Sequence, residues 1–314
     1  MIHWGINALN HGSSIAVFDN DLKLFEFNKT DTLYLDSITR ALEFSKPDRI
    51  FWYERPWLKK ARQFYAGQYS VAMDLNELPN RYLKTIGLGD VPITYTPHHG
   101  SHAAAGYYTS PFDHCAIVVL DAIGEFECAT VWEGNNNKMR KVWSRTYPHS
   151  LGLFYSAFTK LIGLEPIKDE YLLQQMSSNG DPNRFKHAVQ RYFGQGTLNL
   201  NYNFHKGVNN WQLEITDEQC KFDIAAAVQL VFEEQISQIM NIAKTRTNAD
   251  NLVYMGGCAM NSRANLNVVK QWKHVWSLPN PGDPSSAIGA VLYHTKNRIS
   301  DYNLGLVKHI NISI

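Results

Sequence analysis

The chain has 314 residues, enough for two lobes with cores of their own and more than one average domain needs. Apolar residues at 44% and charged residues at 19% describe an ordinary globular protein. A net charge of +1, from 30 basic and 29 acidic side chains, excludes a globally basic nucleic-acid binder and leaves only local patches to consider.

IHWGIN, SSIAVFD and LKLFEF read as three short strands, the latter two joined by a turn at Asn20 and Asp21. The opening has no basic region followed by an apolar run, so no secretion signal is expected, and no apolar run reaches membrane-spanning length. Between the first two strands, Asn7, His11, Ser13 and Ser14 supply short polar groups around a glycine. Such a turn suits an anion, and His11 is a candidate proton acceptor, although a plain loop has the same composition. A helix is expected over 34–45, then a buried strand over 49–54. The segment that follows, expected to form two helices, interleaves Arg55, Lys59, Lys60 and Arg62 with Trp57, Phe64, Tyr65 and Tyr69. That pattern can grip a phosphate backbone and stack a base, or it can be a solvated amphipathic helix.

After a strand over 91–95 comes TPHHGSHAAAGYYTSPF, where three alanines favour a helix beginning near His98. His98 and His102 are four apart and share a face, the spacing at which two imidazoles can bind one metal ion or simply pack. CAIVVLD is a buried strand ending in Asp121, whose carboxylate is placed to add an oxygen ligand. With ECATVWEG and MRKVWSRTY it repeats the opening three-strand pattern. Two β-β-β units, each followed by helices, predict two α/β lobes facing each other across a cleft, the plan of the actin/hexokinase-like (ASKHA) fold. We place the first lobe at 1–114 and the second at 115–314, with a surface insertion near 165–211.

SLGLFYSAFTKLIG is a helix capped by Ser150 and stopped by Gly163. The stretch 222–244 is an amphipathic scaffold helix. In LVYMGGCAMNSRAN, Gly256 and Gly257 lie between a strand and a helix, an arrangement that binds phosphate or serves tight packing, and Asn261 can add a polar contact. Asp283 precedes Pro284 at the start of the last helix. It reads as an N-cap, and with two oxygens it can ligate a metal as well. Cys115, Cys128, Cys220 and Cys258 form no CxxC pair, the pattern of free thiols in a reducing, cytoplasmic setting.

Taken together, HHGSHAAAGYYTSPF, VVLDAIGE, PHSLGLFYSAFT, LVYMGGCAMNSRAN and PGDPSSAIGA, in this order, resemble the signatures of the NodU/CmcH-type O-carbamoyltransferase family; YERPWLKK does so too. The resemblance spans nearly the whole chain. It is more distant to the transferase that makes threonylcarbamoyl-adenosine in tRNA, from which PHSLGLFYSAFT and the amino-terminal half differ. It implies a metal, usually iron, with Mn²⁺ or Zn²⁺ as alternatives, on His98, His102, Asp121 and Asp283. It implies ATP and carbamoyl phosphate, a carbamoyl-adenylate held by Gly256, Gly257 and Asn261, and transfer to an acceptor hydroxyl. Asn7, Ser13 and Glu170 are further candidate ligand contacts, and His11 or His99 is the candidate base.

Two departures stand out. Longer relatives carry a YrdC-like domain that makes the carbamoyl-adenylate, so a separate YrdC-like protein, or this portion itself, is expected to supply it. DEYLLQQM stands where the family has a glutamate-glycine-lysine run: Glu170 is kept and the lysine is not. The expected acceptor is a hydroxymethylated cytosine in phage-type DNA. The alternatives are a sugar or antibiotic, a tRNA threonylcarbamoyl-type reaction, or a metal- and nucleotide-binding module without turnover. No membrane association is expected.

Overall fold

The computed structural model describes residues 1–10 and 12–299. In chain order, β1 (Ile2–Asn10), β2 (Gly12–Asp19) and β3 (Asp21–Asn28) form an antiparallel meander, followed by α1 (Leu35–Phe44) and β4 (Arg49–Trp52). Three short helices, α2 (Pro56–Tyr65), α3 (Tyr69–Met73) and α4 (Pro79–Thr85), fill the place where two were expected, and β5 (Ile93–Tyr95) ends this half. Then come α5 (His98–Thr109), a second meander of β6 (His114–Gly124), β7 (Glu127–Asn135) and β8 (Lys138–Thr146), and α6 (Leu151–Leu161). The remainder holds α7 (Glu170–Met176), α8 (Lys186–Gln190), α9 (Glu218–Thr247), β9 (Asn251–Met255), α10 (Ser262–Val269), β10 (His274–Trp276) and α11 (Ser286–Thr295).

The expected duplication is present in the strand order. The first sheet runs β3-β2-β1-β4-β5, and the second, read from its matching edge, runs β8-β7-β6-β9-β10. In both, the first strand pairs antiparallel with the second and parallel with the fourth. This is the two-sheet plan of the actin/hexokinase-like fold. The chain also bulges at matching places: the ladder shifts between Asn7 and Asn10 in β1 and between Leu120 and Gly124 in β6. Each bulge sits at the end of the first strand of its sheet, where an extra residue re-aims side chains.

Between the sheets lie α5 and α11, crossing at a contact that only glycine permits. A β-carbon at Gly289 would lie 1.7 Å from the Ser101 carbonyl oxygen, and one at Gly5 would lie 1.8 Å from that of Ala287. Ala103, Ala104 and Ala105 of α5 are buried with Ala287, Ile288 and Val291 of α11 in one apolar cluster that also takes in Trp4 and Ile6 of β1 and Val253 and Met255 of β9. This helical layer, apolar on both sides, carries the two histidines between the sheets.

The segment 165–211 is not a surface insertion. Leu173, Phe185, Val189, Leu198, Leu200 and Phe204 are buried in the core of the second sheet with Ile224 and Val228 of α9. Its many polar residues hid scattered anchors that show no regular period. Among the described residues no helix is long and apolar enough to cross a membrane. All four cysteines are free and buried.

Candidate metal centre and cavity

His98 opens α5 immediately after Pro97, and one helical turn brings His102 onto the same face. Their Nε2 atoms lie 3.1 Å apart. Asp121 stands in the β6 bulge, with Oδ2 at 3.1 Å from His98 Nε2 and 3.5 Å from His102 Nε2. Its other oxygen, Oδ1, accepts the Ala122 N–H at 2.8 Å, which fixes the carboxylate plane. Asp283 Oδ1 lies 3.3 Å from each Nε2. The four donor atoms all fall within 4.8 Å of one another. The sequence thus picked out four residues from three distant segments, and the fold brings all four to one point.

The N-cap expected of Asp283 is absent. Gly282 occupies the cap position of a short 3-10 turn, Asp283–Ser285, and the Asp283 side chain makes no capping bond, being aimed at the histidines instead. Ser14 holds that turn by donating its Oγ–H to the Pro284 carbonyl at 2.6 Å, and the Gly256 N–H donates to the Pro281 carbonyl at 2.8 Å.

The charges of the cluster support one another. Burial lowers the affinity of His98 for a proton, yet hydrogen bonds to Asp121 and Asp283 outweigh it and raise its pKa well above the usual value. Burial likewise raises both carboxyls, but His102 and His98 hold Asp121 well below the usual carboxylate range and Asp283 below it. Two carboxylates and two imidazoles packed this closely require positive charge among them. A divalent ion fits. Bonds of about 2.1 Å in tetrahedral or octahedral arrangement place adjacent donors roughly 3.0–3.4 Å apart, against 3.1–3.5 Å between the imidazole nitrogens and their carboxylate and imidazole neighbours here. A set of two nitrogens and two carboxylate oxygens accepts Fe²⁺, Mn²⁺ or Zn²⁺.

Behind His98 stands a residue that the sequence argument left without a role. Glu54 follows β4, is buried, binds the Lys59 ammonium through Oε1 at 2.8 Å, and has Oε2 3.8 Å from His98 Nδ1, an ion-pair distance rather than a hydrogen bond. Gly124 leaves room on the other side: a β-carbon there would meet His98 Cδ2 at 2.3 Å and His99 Cδ2 at 2.7 Å.

The His98–His102–Asp121–Asp283 group opens, through its two carboxylates, on a cavity of about 1190 Å³ whose lining includes Asp121, Asp283, Gly257, Glu170, Lys160 and Arg62. The other candidates fall variously around it. Gly257 lies in the wall, where a β-carbon would come 3.2 Å from Asp121 Oδ1, whereas Gly256, at φ +93°, packs on the Leu120 backbone. The turn after them is a 3-10 segment, Gly257–Met260, so the expected α-helix N-terminus is not directly at the glycines. Asn261 lines the cavity, but its amide is committed: Oδ1 accepts from Ala264 N and Gln229 Nε2, and Nδ2 donates to Gln229 Oε1. It is a helix cap. Glu170 likewise accepts from Ser156 and from the Ile167 N–H while lining the cavity.

Asn7 pairs across the ladder with Ser14 and therefore shares its face, turned toward the Asp283 turn; it is buried with both amide atoms unpartnered. Ser13 is on the opposite face, beside Asn28, away from the turn that carries Asp283. His99 does not reach the cavity. It is fully buried, its Nδ1 is 3.0 Å from Thr130 Oγ1, and burial followed by the neighbouring His98 keeps its pKa well below the usual value. A base that no acceptor can touch is excluded from direct proton abstraction. His11 lies outside the described residues. The basic side chains at and in α2 are largely committed: Arg55, just before the helix and part-exposed, is paired with Glu125, and the mostly buried Lys59 and Lys60 with Glu54 and Glu77.

A family model described as the carbamoyltransferase N-terminus matches residues 17–292. An uncharacterized protein of Synechocystis sp. is 29% identical over 294 residues, 80% of this chain and 48% of that one. An uncharacterized protein of Methanocaldococcus jannaschii is 26% identical over 68% of this chain and 38% of its own. The nodulation protein NolO of Bradyrhizobium diazoefficiens is 23% identical over 62% of this chain and 37% of its own. The chain thus spans about half the length, or less, of the curated relatives it matches. Among solved structures, the activator of 2-hydroxyisocaproyl-CoA dehydratase from Clostridium difficile with bound ADPNP aligns at a TM-score of 0.47 and 16% identity, covering 94% of this chain and 96% of that one.

Proposed function

This chain belongs to the carbamoyltransferase family whose amino-terminal model it matches, and on that premise we propose that it transfers a carbamoyl group to the hydroxyl of an acceptor at the His98–His102–Asp121–Asp283 cluster. The observation that carries the reading is the convergence of those four side chains, with Asp121 and Asp283 lining a cavity large enough for a nucleotide and an acceptor and the two histidines buried behind them. A divalent ion held by these four residues would supply Lewis-acid polarisation of the carbamoyl carbonyl.

The donor we favour is a carbamoyl-adenylate derived from carbamoyl phosphate and ATP, made by this chain or by a separate YrdC-like protein. In the transfer step the acceptor oxygen forms a bond to the carbamoyl carbon and the bond from that carbon to the adenylate oxygen breaks. AMP leaves, and the acceptor proton passes to a base. His11 is our candidate base; its sequence neighbour Asn10 lines the cavity. Gly257, lacking a β-carbon beside Asp121, lets a ligand approach the cluster closely, and Asn7 offers an uncommitted amide on the face turned toward Asp283.

For the acceptor we favour a small hydroxylated molecule such as a sugar. The ion pairs of Arg55, Lys59 and Lys60 leave little of α2 free to follow a phosphate backbone. Hydroxymethylcytosine DNA is the second reading, motivated by the exposed Trp57, Phe64, Tyr65 and Tyr69 on α2 and α3.

The test is to incubate the purified chain with metal, ATP and carbamoyl phosphate, or with synthetic carbamoyl-adenylate, and each acceptor class. Mass spectrometry is expected to find one added carbamoyl group on a small acceptor. Asp121→Ala is expected to lower metal affinity by more than about a hundredfold and to abolish the product. Carbamoylated product formed equally well by Asp121→Ala would sink the proposed site.

A further inference from the structure

Among the described residues, Arg62 is a buried cation with no carboxylate within ion-pair distance, the Glu54 charge acting on it only from farther off. The residue is 8% exposed, its Nε donates to the Glu125 carbonyl at 3.2 Å and its Nη1 to Gln68 Oε1 at 3.0 Å, both neutral acceptors. Among the described residues no carboxylate pairs with it, in contrast to Lys59 and Lys60 on the same helix and to Arg55 just before it. Leaving a guanidinium charge buried and unpaired is costly, and proteins rarely do so unless something else supplies the anion. Arg62 also lines the cavity, so a ligand can supply it.

Two more groups meet it there. His205 and Lys206 belong to the short turn Phe204–Lys206, and both line the same cavity. The His205 ring packs edge-on against Tyr147 with centroids 5.6 Å apart, and Tyr147 packs against Tyr65, one turn beyond Arg62 on α2, at 6.2 Å. The aromatic chain therefore brings the turn to the end of the cavity where Arg62 lies. His205 Nδ1 is engaged by the Tyr147 hydroxyl at 3.2 Å, which leaves Nε2 for a ligand. Burial first, then the charges of Arg62 and Lys206, lowers the His205 pKa, as expected of cationic groups gathered without an anion. Lys206 is exposed, lines the cavity and has no carboxylate within ion-pair distance among the described residues.

We propose that Arg62, His205 and Lys206 form a phosphoryl-binding subsite at one end of the cavity. A guanidinium presents a fork of donors that fits two oxygens of a phosphoryl group, and the imidazole and ammonium across from it meet the remaining oxygen and charge. The ligand class is a phosphate monoester or mixed anhydride. The subsite stands on the buried Arg62 charge and on its sharing one cavity with His205 and Lys206, and only the source of its phosphoryl group rests on the carbamoyl-transfer reading: carbamoyl phosphate, a nucleotide or a phosphorylated acceptor.

The experiment uses the full chain and inorganic phosphate as the probe, followed by calorimetry and thermal shift. Phosphate is expected to bind and to raise the melting temperature, and Arg62→Gln is expected to weaken it by about tenfold or more, as for a lost charge-assisted hydrogen bond. Because Arg62 also ties Gln68 and the Glu125 carbonyl, that variant can fail to fold. Lys206→Gln, at an exposed position, then reads the same site, with a loss of about threefold to tenfold expected. Metal affinity is expected to stay unchanged in both. Competition of carbamoyl phosphate, AMP and a sugar phosphate against inorganic phosphate identifies the source. A folded wild-type chain that does not bind phosphate, binding unaltered by Lys206→Gln and by a folded Arg62→Gln, or competition by none of the three overturns the subsite. Failure of the mass-gain assay with phosphate binding intact would instead count against the transfer reaction.

Discussion

Glu54 and Gly124 determine how the His98 ring is held, and each makes a separate prediction. An imidazole that is to ligate a metal is oriented by what faces its other nitrogen, and the Glu54 carboxylate, anchored by Lys59, stands 3.8 Å from His98 Nδ1. We expect Glu54→Gln to lower metal affinity by about 10–100-fold while the chain stays folded. Equilibrium dialysis with Fe²⁺, Mn²⁺ and Zn²⁺ measures it, and circular dichroism checks the fold. If Lys59→Met reproduces the loss with Glu54 intact, the ion pair, and not the carboxylate facing the ring, sets the orientation. Gly124→Ala adds a β-carbon that must push both His98 and His99 aside. The expected outcome is a destabilisation of about 1–3 kcal/mol together with weakened metal binding. Urea unfolding with and without metal separates the two effects, since ring displacement weakens binding even at equal stability.

At the scale of elements, the site depends on two helices approaching more closely than side chains normally allow. Gly289 of α11 sits against the Ser101 carbonyl of α5, one residue before His102 and two before the alanine run. Gly289→Ala cannot be absorbed by a rotamer change, because the obstructing atom is backbone. It must part the helices, at a cost of about 1–3 kcal/mol or more. A lowered urea midpoint with an unchanged m-value is the expected reading; an unaltered midpoint would mean that the helices pack less tightly than the geometry states. The histidine pair and its helix were legible because α-helical periodicity puts residues four apart on one face whatever surrounds them. The bulges in β1 and β6 were not legible. Nothing in ALN or DAIG marks an interrupted ladder, since a bulge is decided by the partner strand. Nor was the burial of 165–211, whose apolar anchors lack a period.

Across the whole molecule, the cluster ties together elements that are far apart in sequence: α5, the β6 bulge and the turn before α11, with Ser14 of β2 holding that turn. A metal that binds only the assembled site stabilises the assembled fold. Added metal at a hundred times its dissociation constant is expected to raise the unfolding free energy by about 2.7 kcal/mol, and EDTA is expected to reverse it. Differential scanning calorimetry measures the shift, and Asp283→Ala should remove it. An equal shift in that variant would place the binding elsewhere.

The order of the residues alone fixed the two repeated strand meanders, the helix that pairs His98 with His102, the family and the four candidate ligands. These follow from short-range periodicity and from motifs that keep their order along the chain. Tertiary structure decided the rest. It aimed the Asp283 side chain at the two histidines in place of a helix end, and it committed the Asn261 amide to a helix cap and to Gln229. It sealed His99 behind Gly124 and Thr130, set Glu54 behind His98, and left Arg62 buried with no carboxylate partner among the described residues. The reason is physical: whether a polar side chain is free to bind something depends on which partners the fold has already given it, and those partners lie tens or hundreds of residues away.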